Sequence, residues 1–176
     1  QGLSQVVACR QAGASLVIVT GTTRDAARLE LAKTLGADHV IDVLQDDALA
    51  AVLEITRGKG VDVVLDCTSG AGTTPVLLGI DALKRRAGTL LVQGELAAFP
   101  DFPIKKLTEK AITIKSARGH GYRAVELAIA QLASKRFPLE LLTTHVFGLS
   151  DVDRAIRAVG GEVEEDVIHV SLMPWT

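Results

Sequence analysis

The stretch from Gly58 to Cys67 reads GKGVDVVLDC and contains the clearest buried strand of the chain. A glycine turn leads into Val61–Leu65, a run of mostly apolar residues interrupted only by Asp62. Strands that are apolar on both faces are typical of parallel sheets that helices cover on each side. The stretch therefore predicts an α/β fold, with a small polar segment after the strand.

Helix and strand patterns alternate on either side of this stretch. Strands that alternate with helices of this length imply repeated βαβ units, which form a Rossmann-type doubly wound parallel sheet. The predicted strands are Leu16–Val19, His39–Asp42, Val61–Leu65, Thr89–Val92 and Ile112–Ile114, and the predicted helices are Gly2–Ala12, Asp25–Leu35, Asp47–Thr56 and Pro75–Arg86.

The pattern changes after Gly119, where we predict a boundary between residues 1–119 and residues 120–176. The second part is expected to contain two helices, a turn near Pro138 and a final strand. These elements are predicted at Tyr122–Ser134, Ser150–Val159 and Ile168–Leu172. The stretch Phe99–Pro103, which holds two prolines, is expected to be an irregular connection.

Composition excludes several classes of protein. The 176 residues are 48% hydrophobic and 23% charged, which excludes intrinsic disorder. A net charge of -2 argues against a general binder of nucleic acids or membrane surfaces. No apolar run approaches the roughly 20 residues that span a bilayer, and no signal peptide is recognised, so we expect a cytoplasmic protein. The two cysteines, Cys9 and Cys67, are expected to be small buried apolar residues.

Four short segments follow predicted strands and are rich in glycine or hydroxyl groups. Ligands of doubly wound folds bind beyond the carboxyl ends of the strands. Backbone N–H groups in such segments can approach a phosphate or a ribose. Any one of the segments is equally well explained as an ordinary turn, but the four together favour a nucleotide site. The segments are Thr20–Arg24, Cys67–Gly70, Gly94–Glu95 and Ser116–Gly119.

Taken in chain order, several stretches resemble the medium-chain dehydrogenase/reductase superfamily, and in particular its zinc-type alcohol and polyol dehydrogenases. The sorbitol- and threonine-dehydrogenase types are the most similar. The resemblance covers nearly the whole chain and keeps the order of the family's segments. The stretches are Leu29–Ile41, Gly58–Cys67, Gly88–Gly94, Lys135–Leu139 and Thr144–Phe147.

The resemblance implies that this chain is the cofactor-binding half of a longer enzyme. Members of the family have a strand and a G-x-G-x-x-G turn before the first helix, and Gly2 resembles the last glycine of that turn. We therefore expect a sheet without its first strand, which would lie between the strands at Leu16 and Val61. Residues 120–176 resemble the segment that returns to the catalytic domain. The upstream part of the family supplies the zinc ligands, and no zinc site can be assembled from this chain.

The resemblance also suggests cofactor-binding residues. Gly2 and the N–H of Leu3 open a helix, where unpaired donors and the helix dipole favour a diphosphate. The segment Gly21, Thr22, Thr23 and Arg24 stands where NAD-preferring members usually carry an acidic residue for the ribose hydroxyl. Its lack of a carboxylate and its guanidinium favour NADP over NAD. Asp25 is an alternative acid that would restore a preference for NAD.

Further cofactor contacts are implied along the same edge of the sheet. Cys67 and Thr68 resemble the loop beside the adenosine ribose, and Gly94 and Ser116 match segments that line the nicotinamide. Arg28 is interpreted as a solvated helix residue rather than a second phosphate contact, and the role of Arg118 is left open. No catalytic residue and no metal ligand are assigned to this chain.

The expected function is hydride transfer between a secondary alcohol and NAD(P), with a small alcohol or carbonyl compound as substrate. The strand at Ile112–Ile114 would be the exposed edge of the sheet, where relatives often pair, so a homodimer or homotetramer is expected. Two alternatives remain open. One is a zinc-free quinone or enoyl reductase of the same superfamily, and the other is a nucleotide-binding module without catalytic activity.

Overall fold

A computed structural model describes residues 1–164 and 166–175 and shows an α/β architecture with short parallel strands. Short 3₁₀ turns at Thr23–Asp25, Leu139–Leu142 and Leu149–Asp151 accompany the main elements. The helices are α1 (Gly2–Gln11), α2 (Ala26–Thr34), α3 (Ala48–Ile55), α4 (Thr74–Ala82), α5 (Ile104–Lys110), α6 (Tyr122–Ser134) and α7 (Val152–Val159). The strands are β1 (Ile18–Gly21), β2 (His39–Asp42), β3 (Val63–Asp66), β4 (Thr89–Val92), β5 (Thr113–Ser116), β6 (His145–Gly148) and β7 (Val170–Met173).

The strands form three separate parallel ladders. β1 pairs with β2, β3 and β5 flank β4, and β6 pairs with β7. In the described part of the chain, no ladder joins β1 to β3. The space between these two strands is where the sequence predicts a missing first strand.

Helices cover both faces of the first ladder because its side chains alternate between two cores. Val19 and Val40 pack against the cluster formed by α1 and α2. Ile18 and Ile41 face the opposite side, where Val52 of α3 lies in a second cluster. Successive strand residues point to opposite faces, so both faces must be buried. The doubly wound interpretation of the apolar strands is confirmed.

A third core cluster fills the space around β4. The C-terminal segment packs against the first core cluster, which contains α1 and α2. Ile80 of α4 and Leu90 of β4 are fully buried in the third cluster. Phe137, Leu142 and Ile168 pack against the cluster that contains α1. Residues from both sides of position 119 therefore share one core, and the boundary near residue 119 stays a prediction.

Most predicted elements are present, but some of their ends differ. β1 begins two residues later than predicted, so Gly21 ends the strand instead of lying in the following loop. α4 ends at Ala82 and not at Arg86, because Val61 and Leu83 form a parallel bridge that draws the chain out of the helix.

Three elements lie where no helix or strand was predicted, or beyond the predicted end. α5 is a helix of 7 residues with few apolar positions, and it follows the proline-containing segment that was expected to be irregular. β6 pairs with the C-terminal strand β7 across a separation of about 25 residues. β5 extends to Ser116, which was placed in the loop after the strand.

Arg10 joins the end of α1 to the loops around β1 and β2. Its Nε donates to the carbonyl of Gly36 at 2.6 Å, and one terminal nitrogen donates to the carbonyl of Ala14 at 2.9 Å. The other terminal nitrogen lies 2.5 Å from Oδ2 of Asp38. That carboxylate also accepts the N–H of Val17 at 2.7 Å, so the guanidinium joins the stretch that follows α1 to the loop between α2 and β2.

The pKa of Asp38 lies below its ordinary value, chiefly because the carboxylate accepts the N–H of Val17 and also because Arg10 is beside it. A carboxyl group whose pKa is lowered by folding stabilises the fold above its unfolded pKa. This contribution is lost as the pH falls through the lower, folded pKa.

We expect the Arg10→Ala variant to lose about 1 to 3 kcal/mol of unfolding free energy, because two backbone carbonyls and one carboxylate lose their donor. Urea denaturation measures this loss. Arg123→Ala is the matched control, since the Arg123 side chain is exposed and has no hydrogen bond or ion pair within residues 1–164 and 166–175.

The difference in stability between the original chain and Asp38→Asn should shrink as the pH falls below about 4. A difference that does not change with pH would contradict this assignment.

Candidate functional site

The carboxyl ends of β3, β4 and β5 lie side by side. The register pairs Asp66 with Val92 and Val92 with Ser116, so the three strands end at one level. The turns beyond β3 and β4 continue together, and Ser69 forms an isolated parallel bridge with Glu95. Two of the four predicted ligand segments are therefore in direct contact, and a third begins at the end of the neighbouring strand.

Asp66 organises these turns from within. It is 6% exposed, and it is the one buried charged side chain among the residues that the structure describes. Its Oδ1 accepts the N–H of Thr68 at 3.1 Å and the hydroxyl of Thr68 at 2.7 Å. Its own carbonyl accepts the N–H groups of Gln93 and Gly94 at 2.8 and 2.9 Å. A single residue thus shapes the turn beyond β3 and ties it to the turn beyond β4.

Asp66 is not among the site residues that the sequence predicts. The available signal was an acidic residue at the end of an apolar strand, where burial requires hydrogen-bond partners. Those partners come from Thr68, two residues further on, in a loop whose conformation the strand pattern does not reveal.

Gly94 is required by the close approach of the two turns. A Cβ atom built on Gly94 would lie 2.0 Å from the carbonyl oxygen of Thr68, a distance at which the backbone must move. Gly94 is a predicted site residue because its segment resembles one that lines the cofactor in the family. The structure shows that it also keeps the turns beyond β3 and β4 in contact.

Gln93 brings the first helix to the same edge. Gln5 of α1 donates from Nε2 to Oε1 of Gln93 at 3.1 Å, and the thiol of Cys67 donates to the same oxygen at 3.5 Å. α1 therefore lies over the ends of β3 and β4, with its first turn beside the segments that contain Thr68 and Gly94.

The first turn of α1 presents unpaired backbone donors. The first N–H groups of any helix lack partners within the helix, and they attract negative charge. No acidic side chain stands in the first turn of α1. A Cβ atom built on Gly2 would have no described atom within 4 Å, so the space beside Gly2 is open. The side chain of Leu3 is 8% exposed and packs in the first core cluster. This arrangement fits a diphosphate, with the backbone of Leu3 as donor.

The two cysteines are partly buried, and both are free thiols. Burial raises the pKa of the Cys9 thiol and of the Cys67 thiol above the ordinary value. A raised pKa keeps both groups protonated at neutral pH, and the protonated thiol is a poor nucleophile. Two protonated thiols agree with a packing role for both cysteines. Cys67 lies in the turn beyond β3.

The segment after β1 forms a second group with its own hydrogen bonds. Oδ2 of Asp25 accepts the N–H of Thr22 at 3.0 Å as part of a capping box, and it also accepts the hydroxyl of Thr22 at 2.7 Å. The hydroxyl of Thr23 donates to Oδ2 of Asp42 at 2.6 Å, and Gly21 pairs with Asp42 in the ladder. Arg24 is exposed, and no polar partner for it occurs in the described part of the chain.

The predicted site residues thus fall into two groups. The first group lies at the ends of α1, β3, β4 and β5 and consists of Gly2, Leu3, Cys67, Thr68, Gly94 and Ser116. The segment Gly21–Arg24 lies at the end of β1, in the separate first ladder. Among the described residues, no hydrogen bond or ion pair connects the first group with this segment.

The side chains do not fit a zinc ion. Within residues 1–164 and 166–175, no group of three or more His, Cys, Asp or Glu side chains is placed to hold a metal. A catalytic zinc site needs three protein ligands and one open position. No step of a zinc reaction can therefore be assigned to these residues.

Comparison with known proteins identifies the family. A family model described as zinc-binding dehydrogenase matches residues 2–134. The chain is 34% identical to a sorbitol dehydrogenase of Halalkalibacterium halodurans over 146 residues, which cover 81% of this chain and 41% of that protein. It is 35% identical to a probable alcohol dehydrogenase of Mycobacterium tuberculosis over 166 residues, covering 92% of this chain and 44% of that protein.

Solved structures agree with the sequence comparison. The benzyl alcohol dehydrogenase of Acinetobacter calcoaceticus superposes with a TM-score of 0.77 at 29% identity, over 92% of this chain and 44% of the other. The chain belongs to the zinc-binding dehydrogenase family, as the sequence resemblance predicts. It spans less than half the length of these relatives.

None of the helices in residues 1–164 and 166–175 combines the length and the apolar character that crossing a bilayer needs.

Gly94→Ala should lower the free energy of unfolding by about 2 kcal/mol or more, because the added methyl group pushes the turn beyond β4 away from Thr68. Urea denaturation gives the loss directly. Gly121→Ala is the control, since its side-chain position is open, and it should cost less than about 1 kcal/mol. Equal losses in the two variants would show that the close approach at Gly94 is unimportant.

Proposed function

We propose that this chain is the cofactor-binding portion of a zinc-type alcohol or polyol dehydrogenase, which transfers hydride between a secondary alcohol and NAD(P). Membership of the family supports this function, as do relatives named sorbitol dehydrogenase and L-threonine 3-dehydrogenase. The observation that carries the proposal is the convergence of the first turn of α1 with the turns beyond β3 and β4, which Gln93 and Asp66 hold together.

Different residues along this edge would bind different parts of the cofactor. The first N–H groups of α1, at Gly2 and Leu3, would bind the diphosphate of the cofactor. The turn at Cys67 and Thr68 would lie beside the ribose, and Gly94 and Ser116 would line the nicotinamide. The nicotinamide ring supplies the hydride chemistry when the cofactor is bound. The chain's own residues bind and orient it, and we assign none of them a catalytic role.

The zinc of such an enzyme would be held by residues outside these 176. The described side chains offer no ligand set, and the relatives are more than twice as long as their match to this chain. We also propose that residues 1–119 form the cofactor-binding domain and that residues 120–176 belong with the catalytic domain. A cytoplasmic location stays a prediction from composition.

NADP is the preferred cofactor in this proposal. Both oxygens of Asp25 already accept hydrogen bonds, from Thr22 and from Arg28, so this carboxylate is poorly available to a ribose hydroxyl. Arg24 is exposed and lacks a described polar partner, so its guanidinium is free to pair with a 2′-phosphate. Asp42, which binds Thr23, is the acidic group that opposes this preference.

Titration of the chain with NADPH and separately with NADH, followed by nucleotide fluorescence, tests this assignment. NADPH should bind more tightly than NADH, and Arg24→Ala should weaken NADPH about fivefold or more while changing NADH little, since an ion pair to phosphate is lost. Arg123→Ala removes a charge from an exposed site on α6 and serves as the control. Tighter binding of NADH would contradict the preference for NADP, and failure of both nucleotides to bind would contradict the proposed function.

We propose a homodimer or homotetramer assembled through β5. All four residues of this strand are exposed, and in the described part of the chain it pairs only with β4. Thr113 donates its N–H to the carbonyl of Gly88, just before β4, and Ala117 donates to the carbonyl of Val92, the last residue of β4. Alternation along the strand then turns the N–H of Ile114 outward, where a second copy can accept it.

Light scattering during size-exclusion chromatography should show a dimer or tetramer for the original chain and a smaller species for Ile114→Pro. Proline removes the outward N–H without breaking a bond to β4, and edge strands tolerate it. Ile114→Thr keeps the N–H and should assemble like the original chain. A monomer in all three samples would exclude assembly through this edge.

A further inference from the structure

We infer that Arg28 is a positioning residue that sets the choice between NADP and NAD by holding the carboxylate of Asp25 against Thr22. The inference deepens the proposed function and depends on it. It gives Arg28 a role other than a solvated helix residue or a direct phosphate contact.

Arg28 is fixed at both ends of its guanidinium. One terminal nitrogen donates to Oδ1 of Asp25 at 3.2 Å, and the other donates to the carbonyl of Val167 at 2.5 Å. Val167 lies 139 residues away in sequence, in the segment that leads into β7. The side chain therefore connects the turn after β1 to the C-terminal segment, and its direction is set by both contacts.

The contact with Arg28 completes the set of partners of Asp25. Oδ2 accepts two hydrogen bonds from Thr22, and Oδ1 accepts the one from Arg28. The two bonds from Thr22 hold the carboxylate in its own turn, and the bond from Arg28 in α2 engages its second oxygen. An acidic residue that reads a ribose must instead offer its oxygens to the 2′- and 3′-hydroxyl groups.

Asp25 keeps its charge under these conditions. Burial acts to raise its pKa, but the hydrogen bonds from Thr22 and the charge of Arg28 outweigh burial, so the pKa lies below its ordinary value. An ionised carboxylate beside the turn would repel a 2′-phosphate, which carries up to two negative charges. Arg28 offsets this repulsion, and Arg24 on the same turn is then free to attract the phosphate.

The forked shape of the arginine side chain suits this task. Two separate nitrogens are needed to reach the Asp25 carboxylate and the Val167 carbonyl at the same time, and a planar guanidinium presents them in a fixed geometry. The exposed fractions of the two charged side chains are 44% for Arg28 and 34% for Asp25. An ion pair of this exposure adds little to overall stability. Its effect should therefore be visible in nucleotide choice more than in stability.

The test is a double-mutant cycle on the chain with Arg28→Ala, Asp25→Asn and the combination of both. The ratio of the NADH to the NADPH dissociation constant is measured by nucleotide fluorescence, and urea denaturation confirms that each variant folds. We expect Arg28→Ala to lower the ratio about two- to fivefold, because the Asp25 charge is no longer offset. In the Asp25→Asn background the same substitution should leave the ratio unchanged.

The other outcomes overturn the inference in distinguishable ways. If Arg28→Ala weakens both nucleotides equally, the residue has only a structural role. If its effect on the ratio persists in the Asp25→Asn background, Arg28 contacts the phosphate directly and does not act through Asp25. Arg123→Ala controls for the loss of one positive charge and should leave the ratio unchanged. If the original chain binds neither nucleotide, the proposed function itself fails.

Discussion

The first strands of this chain carry apolar side chains on both faces, and burying both faces requires helices on two sides. Ile18 and Ile41 point to one core, and Val19 and Val40 point to the other. A parallel sheet covered in this way needs a crossover helix between successive strands, which brings each chain segment back to the same starting edge. The carboxyl ends of the parallel strands lie at the opposite edge. The position of the candidate site is thus a consequence of how the strands are buried.

The site itself depends on a few polar contacts at that edge. Asp66 holds the turn beyond β3 through Thr68, and its carbonyl binds the chain beyond β4. Gly94 allows the two turns to touch, since a side chain there would collide with the Thr68 carbonyl. The turn after β1 is organised separately by Asp25. The cofactor proposal therefore rests on two preformed turns, joined to α1 through Gln93, and on a third turn whose charges we propose as the basis of the choice between NADP and NAD.

Much of the fold could be predicted from local pattern. β2, β4 and α6 lie at their predicted residues, because apolar periodicity marks all three and a glycine directly precedes β4 and α6. Three kinds of feature were missed. α5 is short and weakly apolar, β6 takes its partner from a distant segment, and α4 is cut short by the bridge between Val61 and Leu83. Each of these depends on contacts between segments that are far apart in sequence.

The sequence by itself determined the α/β class, the doubly wound order, the family and the segments in which the candidate site lies. The alternation of apolar residues and the order of the matching stretches are both visible in the linear sequence, without knowledge of any tertiary contact. The tertiary structure decided which side chains carry the site's geometry: Asp66, Gln93 and the contact of Arg28 with both Asp25 and Val167. Their roles depend on partners that folding brings near, and a buried or shared polar group is satisfied only when those partners are in place.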